Sequence, residues 1–417
     1  MNLLRSFKFR PATLLFTAVR RVPHDVRLMS VSATAWQFEE DGGSTCKQDM
    51  YLTASVGDVL GSRYVVKRKL GWGIYSNVWM VEDTKRNNTH LALKALTSLA
   101  TLSPQIHELE YMERIQHAEP SHRGFPHVVH LCDHFAHDGP HGDSHLCLVM
   151  ELMGESPSTF ATRCANGRLP PRLAKRITKE VILGLDYLHN ACNIIHTDIK
   201  TSNILLTCKD PNRLLDSIDP IEYTEVEGSE PALRSQPITL SHLAKADPDL
   251  QQADIHAKLI DIGIACWGNK VDEHFTDIIQ STALRAPEVS VGAGWGKPAD
   301  IWSLGCTVYE LVMGDSLFPP DASDHAIPIM QTVVFGDFPP HMLERGKHTS
   351  IHYNPNGTLK VDLGVRLPLE ESIKEQAAPP DVDVFVDFLK LMLTLDPEQR
   401  ASLDELLEHE WLREVEM

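Results

Sequence analysis

The spacing of apolar residues changes character near residue 154. Before that point, short apolar runs bounded by turn residues predict β-strands. These runs cover residues 64–70, 78–81, 91–96 and 146–152, with a tight turn at 71–73. One stretch of this part, 104–116, has apolar residues at helical spacing and predicts a single helix. The pattern thus predicts a strand-rich lobe over residues 64–153.

After residue 154 the spacing is that of amphipathic helices. Residues 173–190 carry a broad apolar stripe that a helical domain would bury. Further helices are predicted at 298–313, 382–394 and 403–410. Strands followed by helices indicate an α+β fold, and the second part becomes a helical C-terminal lobe over residues 154–412.

The amino-terminal segment falls outside this pattern. Residues 1–24 contain no acid, and apolar residues alternate with five basic ones: Arg5, Lys8, Arg10, Arg20 and Arg21. Such a composition is typical of a mitochondrial transit peptide, here residues 1–29 with a candidate cleavage site at 27–30. An untargeted tail is the alternative. In either case residues 1–55 form an extension outside the predicted fold.

A second exception is an insert at about residues 207–257. Residues 210–256 hold ten acidic residues, three basic residues and five prolines, with little apolar periodicity. Low hydrophobicity and high charge favour a mobile, solvated loop, and a loop of this length is uncommon in a compact domain. The pattern predicts an acidic spacer, with a regulatory or docking element as the alternative.

Charge and cysteine content narrow the classes of partner. The 417 residues include 39 basic and 57 acidic ones, and the formal net charge is −18. A charge of this sign argues against direct binding to nucleic acid and is compatible with basic partners, although from charge alone simple solubility is the favoured interpretation. No apolar run approaches the roughly 18 to 20 residues of a transmembrane helix. The eight cysteines form no Cys-x-x-Cys pair, which fits a reducing compartment without a zinc site.

The most informative chemistry lies in residues 196–203, which read His-Thr-Asp-Ile-Lys-Thr-Ser-Asn. Phosphoryl transfer from ATP needs a carboxylate that accepts the proton of the attacking hydroxyl, and ligands that hold Mg²⁺. Asp198 is the predicted base, and Asn203 is a predicted metal ligand. Lys200, between them, would neutralise charge on the transferring phosphoryl group.

Residues nearer the amino terminus predict a nucleotide site. Two glycines in a strand-turn-strand let backbone N–H groups approach phosphate oxygens. The predicted ATP contacts in this stretch are Leu70, Gly71, Trp72, Gly73, Ile74, Tyr75, Ser76, Asn77 and Val78. Lys94 is expected to contact the phosphates and to pair with a helix glutamate, for which Glu108 is predicted and Glu110 is the alternative. Glu151 and Met153 complete the predicted ATP contacts.

Three acidic residues further along have predicted roles. Asp261, in an Asp-Ile-Gly sequence after a short apolar run, is the second predicted Mg²⁺ ligand. Glu288 ends an Ala-Pro-Glu sequence that would close the activation segment. A buried carboxylate needs a partner, and Arg400 is the predicted one. Asp300 is expected to hold the backbone of the catalytic loop.

In this order, over residues 64–412, the motifs resemble those of the eukaryotic protein kinases. More narrowly, residues 71–79 (GWGIYSNVW), 195–200 (IHTDIK) and 261–267 (DIGIACW) are similar to motifs of the SR-protein kinases, and the insert stands where that family has its spacer. The short insert and the ALRAPE sequence at 283–288 resemble a divergent fungal set of SR-kinase-like proteins.

The resemblance implies a bilobal protein-kinase fold and a monomeric serine/threonine kinase that uses ATP and Mg²⁺. It also implies protein substrates with serine in basic, Arg-Ser-rich segments, and a cytoplasmic and/or nuclear location. The mitochondrial alternative rests on residues 1–29 alone. Thr197 stands where many kinases have an arginine that pairs with an activating phosphate, so we expect activity without activation-segment phosphorylation.

Several residues depart from the SR-protein-kinase pattern. Thr201 and Ser202 stand where Pro-Glu is usual, Ile262 where Leu or Phe is usual, and residues 281–285 read STALR instead of TRQYR. An active kinase with other substrates is therefore one alternative. A pseudokinase or scaffold that binds basic partners is another, and the presence of all the predicted phosphate, metal and base residues favours activity over it.

Overall fold

The protein is described by a computed structural model that covers residues 50–139, 142–208, 210–216, 218–224, 232–240, 242, 254–270, 276–361, 366–375 and 381–415. The transit-like segment 1–29, and most of the extension that contains it, lies outside these residues. The described chain has one large antiparallel sheet at its amino-terminal side and a helical part after it. No helix among these residues is long and apolar enough to span a membrane.

The large sheet has six strands in the order β1-β2-β3-β4-β6-β5. Its strands are β1 Val59–Leu60, β2 Tyr64–Gly73, β3 Ser76–Asp83, β4 Thr89–Leu96, β5 Leu131–Asp138 and β6 Ser144–Glu151. Buried residues alternate along β2, as expected when one face of a sheet is covered. Strand β5 was absent from the predicted elements, because its apolar residues are interleaved with His and Asp at an edge of the sheet.

The predicted turn at 71–73 is wrong. Strand β2 continues through both glycines, and the turn is the two-residue connection Ile74–Tyr75, flanked by the pair Gly73 and Ser76. The two glycines therefore lie in a strand of a tight hairpin, which is the commonest way to join antiparallel strands. Strand β3 also pairs with β4, and in that pair Val78 lies opposite Lys94. The lysine therefore lies on the strand next to the hairpin.

The predicted helix 104–116 corresponds to one helix that begins four residues later, and a separate short helix precedes it. Helix α1 covers Ser98–Leu102 and is capped by the Thr97 hydroxyl, and α2 covers Glu108–His117. The chain is extended at Ser103, because a residue before proline is disfavoured in the helical region. As a result Glu108 stands in the first turn of α2, with Tyr111, Met112 and Ile115 buried on the same helix.

The carboxy-terminal part is mainly helical. Its helices are α3 Pro157–Ala161, α4 Pro171–Asp186, α5 Pro287–Val291, α6 Lys297–Met313, α7 Ile327–Phe335, α8 Pro340–Arg345, α9 Thr349–His352, α10 Leu369–Glu375, α11 Val382–Met392, α12 Leu403–Glu408 and α13 Glu410–Arg413. A π-helical turn, Tyr187–Cys192, extends α4. Helix α7 was not predicted, because its sequence is apolar almost throughout and shows no helical stripe.

Short antiparallel strand pairs flank the loops of the candidate site. Strand β7 (Ile194–Ile195) pairs with β12 (Cys266–Trp267), and β8 (Ile204–Cys208) pairs with β11 (Ile255–Leu259). A third pair joins β9 (Tyr223–Thr224) to β10 (Ala232–Leu233) inside the insert. Residues 196–203 connect β7 to β8, and residues 260–265 connect β11 to β12, so both loops run between the same two strand pairs.

The expectation of a solvated spacer is wrong for the described part of the insert near residue 240. Ile238 and Leu240 are buried, and the Leu240 N–H donates to the Glu155 carboxylate at 2.7 Å. Further back, the Gln236 N–H donates to the carbonyl oxygen of Lys69 in β2 at 2.9 Å. This part of the insert therefore contacts both the sheet and the residues that follow β6.

Candidate active site

The catalytic loop is held by a buried aspartate. Asp300 of α6 is fully buried, and its carboxylate accepts the N–H groups of His196 and Thr197, each at 2.8 Å. His189 contributes a further 2.8 Å contact to the same carboxylate. Thr197 has a φ of 68°, which is unfavourable for a β-branched residue. The Asp300 hydrogen bonds offset this strain and hold the loop backbone, as the sequence predicts.

Asp198 stands at the centre of a polar cluster. Its carboxylate is 2.6 Å from the Lys200 ammonium and 2.9 Å from the Ser281 hydroxyl. The side-chain amide of Asn203 donates to the carboxylate at 3.1 Å and to the Asp198 carbonyl at 2.9 Å. The structure thus brings the predicted base, lysine and amide together. Sequence reasoning missed the contact with Ser281, which lies 83 positions away.

Lys94 lies between two carboxylates from different parts of the chain. Its ammonium is 2.5 Å from Glu108 Oε1 in α2 and 2.8 Å from Asp261 Oδ1 after β11. Burial alone would lower the pKa of Lys94, but the two carboxylates outweigh burial, and the pKa lies above its ordinary value. The lysine is therefore charged at neutral pH. Glu110, the alternative partner, contacts His107 at 3.2 Å instead.

Asp261 remains ionised under all ordinary conditions. The nearby charge of Lys94 lowers the pKa of Asp261 to about 2, against the opposing effect of burial. Its neighbour Ile260 donates its N–H to the Asn203 carbonyl at 3.0 Å, which ties the two predicted metal ligands to adjacent backbone. Gly263 approaches Glu108 so closely that an added Cβ would stand 3.1 Å from the carboxylate. A larger residue at 263 would press on the Lys94 pair.

Asp261 and Asn203 offer oxygen donors to a metal ion. Hard oxygen ligands suit Mg²⁺, which is usually bound by one or two carboxylates together with water and substrate phosphates. The amide nitrogen of Asn203 is committed to Asp198, so the amide oxygen is the atom left for a metal. Within the described ranges no group of three or more His, Cys, Asp or Glu residues forms a metal site.

The glycine-rich hairpin is open at its tip. Among the described residues, no heavy atom lies within 4 Å of the position that a Cβ would take at Gly71 or Gly73. Ile74 and Tyr75 at the turn are 58% and 52% exposed. In contrast, Ser76 and Asn77 are buried, and the Asn77 amide donates to the Leu52 carbonyl at 2.7 Å. The side chains of Ser76 and Asn77 therefore pack into the sheet, and the space beside Gly71 and Gly73 is open.

The remaining predicted ATP contacts differ in what they can offer. The Glu151 carboxylate binds the Lys258 ammonium at 2.8 Å through both oxygens, so only the backbone of Glu151 is left for a nucleotide. Met153 is buried just beyond the end of β6. Leu70 and Val78 are partly buried and pack on the main core cluster. Trp72 lies between the two glycines, paired with Asn77.

The segment that leads to Glu288 is held by hydrogen bonds of two of its own side chains, those of Gln280 and Arg285. Gln280, with a φ of 69°, donates to the Ala299 carbonyl and the Ser303 hydroxyl at 2.8 Å, and accepts the Ala286 N–H at 2.9 Å. The Arg285 guanidinium donates to the Gln280 carbonyl at 3.1 Å and to the Asp324 carboxylate at 2.7 Å. Sequence reasoning did not single out Gln280.

Glu288 and Arg400 form the predicted buried pair. Both side chains are almost completely buried, and two parallel hydrogen bonds of 2.7 Å join them. Such two-point pairing is the strongest arrangement for a guanidinium and a carboxylate. Because α5 carries Glu288 and Arg400 lies just before α12, the pair ties the end of the activation segment to the helical core.

Comparison with known proteins agrees with this geometry. The protein kinase domain matches residues 64–219 and 245–412. The serine/threonine-protein kinase SRPK of Physarum polycephalum is 33% identical over 92% of this chain and 94% of its own length. Human SRSF protein kinase 3 is 28% identical, with 90% of each chain covered. A crystal structure of a kinase domain, 24% identical, superposes with a TM-score of 0.66 over 87% of this chain and 99% of that one.

The fold, the site and the domain match together define a protein kinase, and the chain belongs to the protein kinase family. Its relatives place it more narrowly, since those named SRPK and SRSF protein kinase 3 match most of the chain. It is a serine/threonine kinase of the SR-protein-kinase-like type. This family uses ATP and a divalent metal ion.

Proposed function

We propose that the chain transfers the γ-phosphoryl group of ATP to serine in basic, Arg-Ser-rich protein segments. The observation that carries this proposal is the hydrogen bond from the Ser281 hydroxyl to the Asp198 carboxylate, 2.9 Å long. A serine hydroxyl bound to this carboxylate is the contact that a substrate serine would make. Since Lys200 lies within 3.4 Å of the same hydroxyl, the cluster has a base and a positive charge around one oxygen atom.

In the proposed reaction, the substrate hydroxyl oxygen attacks the γ-phosphorus, and the bond from that phosphorus to the bridging oxygen of ADP breaks. Asp198 accepts the hydroxyl proton, and Lys200 neutralises charge on the transferring group. Lys94, charged and held by Glu108 and Asp261, is the proposed contact to the α- and β-phosphates. Mg²⁺ held by Asp261 and Asn203 would neutralise further phosphate charge. The backbone of 71–76 would cover the phosphates, and Met153 and Glu151 would offer backbone groups to the adenine ring of ATP.

The basic substrate class is supported by exposed aspartates after α6, one of which, Asp324, contacts the neighbour of Ser281. Four exposed aspartates follow α6 in the sequence: Asp315, Asp321, Asp324 and Asp337. Two of them already bind guanidinium groups, since Asp324 pairs with Arg285 and Asp337 pairs with Arg366, each at 2.7 Å. Asp324 also accepts the Thr282 hydroxyl at 2.9 Å, one residue from Ser281. Arginines of a substrate would find the same kind of partner here.

A scaffold without catalysis, the second class of function, would not need these groups in position. Lys94 charged between Glu108 and Asp261, and Asp198 beside Lys200, favour catalysis. A monomer in the cytoplasm and/or nucleus remains our proposal for state and location. The comparisons offer nothing in favour of the mitochondrial alternative.

The test is a peptide panel with the purified chain, Mg²⁺ and ATP. We expect phosphorylation of Arg-Ser repeat peptides, weaker at high salt because screening acts over about 8 to 10 Å, and little on acidic or proline-directed peptides of equal length. Asp198→Ala should lower turnover by roughly a hundredfold or more, because it removes the base. Near-normal turnover of this variant would refute the assigned base. A preference for acidic or proline-directed peptides would refute the substrate class.

A further inference from the structure

The segment just before the sheet contacts the tip of the glycine-rich hairpin. The Tyr51 hydroxyl is 2.9 Å from the carbonyl oxygen of Gly73 and 3.1 Å from that of Ile74, so its one proton is shared between them. These are the last residue of β2 and the first residue of the turn. A single side chain from outside the hairpin therefore holds two consecutive peptide groups at its tip.

The segment that carries Tyr51 is itself anchored. Leu52 is 2% exposed and packs in the core cluster of the sheet, and its carbonyl accepts the Asn77 amide at 2.7 Å. On the other side of Tyr51, the Met50 carbonyl accepts the Ser98 N–H at 2.9 Å. Because the residues on both sides of Tyr51 are hydrogen-bonded to β3 and to the start of α1, the backbone at Tyr51 is fixed relative to the hairpin.

The contact has a consequence for the opposite side of the hairpin. In a planar trans peptide the C=O and N–H groups point in opposite directions. Holding the carbonyls of Gly73 and Ile74 toward Tyr51 therefore turns the N–H groups of Ile74 and Tyr75 away from it. The Tyr75 carbonyl is held too, since it accepts the Thr97 N–H at 2.8 Å. The tip thus presents its N–H donors in one set orientation before any ligand binds.

We propose that Tyr51 is a positioning residue that aims the N–H groups of Ile74 and Tyr75 at the phosphates of ATP. The inference rests on the proposed role of residues 71–76 as a phosphate cover. Without the hydroxyl, the exposed tip has fewer contacts, and nucleotide binding must order it. The loss appears in the binding of ATP and not in stability, because Leu52 and Asn77 keep the segment attached.

The test is Tyr51→Phe in the full chain, which removes one oxygen and keeps the ring. One hydrogen bond is worth about 0.5 to 1.5 kcal/mol, so we expect the KM for ATP to rise about two- to tenfold, with kcat and the KM for peptide within twofold. Tyr223→Phe is the matched control, since Tyr223 is 56% exposed in the insert and should change none of these values.

Two readouts separate this inference from the proposed function and from a merely structural role. Hydrogen exchange of the nucleotide-free protein should quicken in residues 71–76 of Tyr51→Phe and stay unchanged in 78–96, with an unaltered melting temperature. Binding of a fluorescent ATP analogue should weaken by the same factor as the KM. Unchanged exchange and unchanged nucleotide affinity would overturn the inference. Absence of phosphorylation by the wild-type chain would count against the proposed function, whatever Tyr51→Phe does to nucleotide affinity.

Discussion

The glycine-rich hairpin and the activation segment approach the candidate site from opposite lobes, and they are held in different ways. The hairpin tip is more than half exposed and is held through carbonyl groups by Tyr51 and Thr97. On the other side, Gln280, Arg285 and the Glu288–Arg400 pair connect the activation segment to buried groups of the helical lobe. Asp198 already holds a serine hydroxyl there.

This difference separates two tasks of one site. The side that accepts the phosphoryl group is organised before a substrate arrives, because its geometry decides whether the hydroxyl can attack. The hairpin, our proposed phosphate cover, has open space beside Gly71 and Gly73, which would let phosphates enter and leave. We therefore expect substitutions on the acceptor side to affect folding and turnover, and those at the hairpin to affect nucleotide affinity.

The largest expected effect is a loss of stability when the Glu288–Arg400 pair of the acceptor side is broken. Arg400→Leu leaves Glu288 buried without a partner, and breaking a buried ion pair costs about 3 to 5 kcal/mol. The free energy of unfolding, measured by urea denaturation, should fall by that amount. Lys67→Ala is the contrasting change in the sheet, because the Lys67–Glu82 pair is partly exposed and such pairs contribute about 0 to 1 kcal/mol. Equal effects of the two substitutions would contradict the comparison.

A smaller effect, measured as a loss of catalysis, is expected at Lys94. Lys94→Met removes the only charge that separates Glu108 from Asp261 among the contacts described above, and we expect kcat/KM for ATP to fall by about a hundredfold. Lys175→Met is the matched control, because Lys175 also pairs with a carboxylate, that of Asp381, but outside the polar cluster and the proposed nucleotide site. Its kcat/KM should stay within a few fold. Retained activity in Lys94→Met would contradict the phosphate role.

Sequence reasoning succeeded where a charged or polar residue in an apolar or motif context can have only a few structural roles. Lys94 in an apolar strand, Asp198 with Asn203, and Glu288 with Arg400 each need a partner of opposite or complementary character, and the structure brings these residues together. It failed where the answer depends on tertiary contacts. The hairpin turn lies three positions later than its glycines suggest, and Ile238 and Leu240 are buried although the insert around them is acidic.

Gln280 and Tyr51 show the limit most clearly. A glutamine or a tyrosine in a loop has many ordinary uses, and nothing local identifies the partners. Gln280 binds groups from 6 to 23 positions away, and Tyr51 binds the hairpin 22 and 23 positions away. Only the folded chain brings these groups together, because the local sequence constrains the backbone of each segment and not its neighbours in space.

The smallest effect is expected from removal of phosphate from the activation segment. Thr197 is fully buried, and its hydroxyl donates to the Ile264 carbonyl at 2.8 Å. A phosphate would therefore find no arginine at this position to order the segment. Arg285, which could serve, is already bound to the Gln280 carbonyl and to Asp324. We expect phosphatase treatment to change kcat by less than about twofold. Loss of even one neutral hydrogen bond to a phosphate would change kcat by more than this, so a change below twofold means that no such contact orders the segment.

The control for this last test follows from the Asp198 cluster. Substitution of Ser281 would remove a contact to the base itself and would confuse regulation with catalysis, so Ser281 should be left intact. Thr276→Ala is the better companion, because Thr276 is exposed and its hydroxyl contacts the nearby backbone of Ile278. If dephosphorylation lowered kcat tenfold while the melting temperature stayed constant, the acceptor side would depend on a phosphate after all, and its contrast with the hairpin would no longer hold.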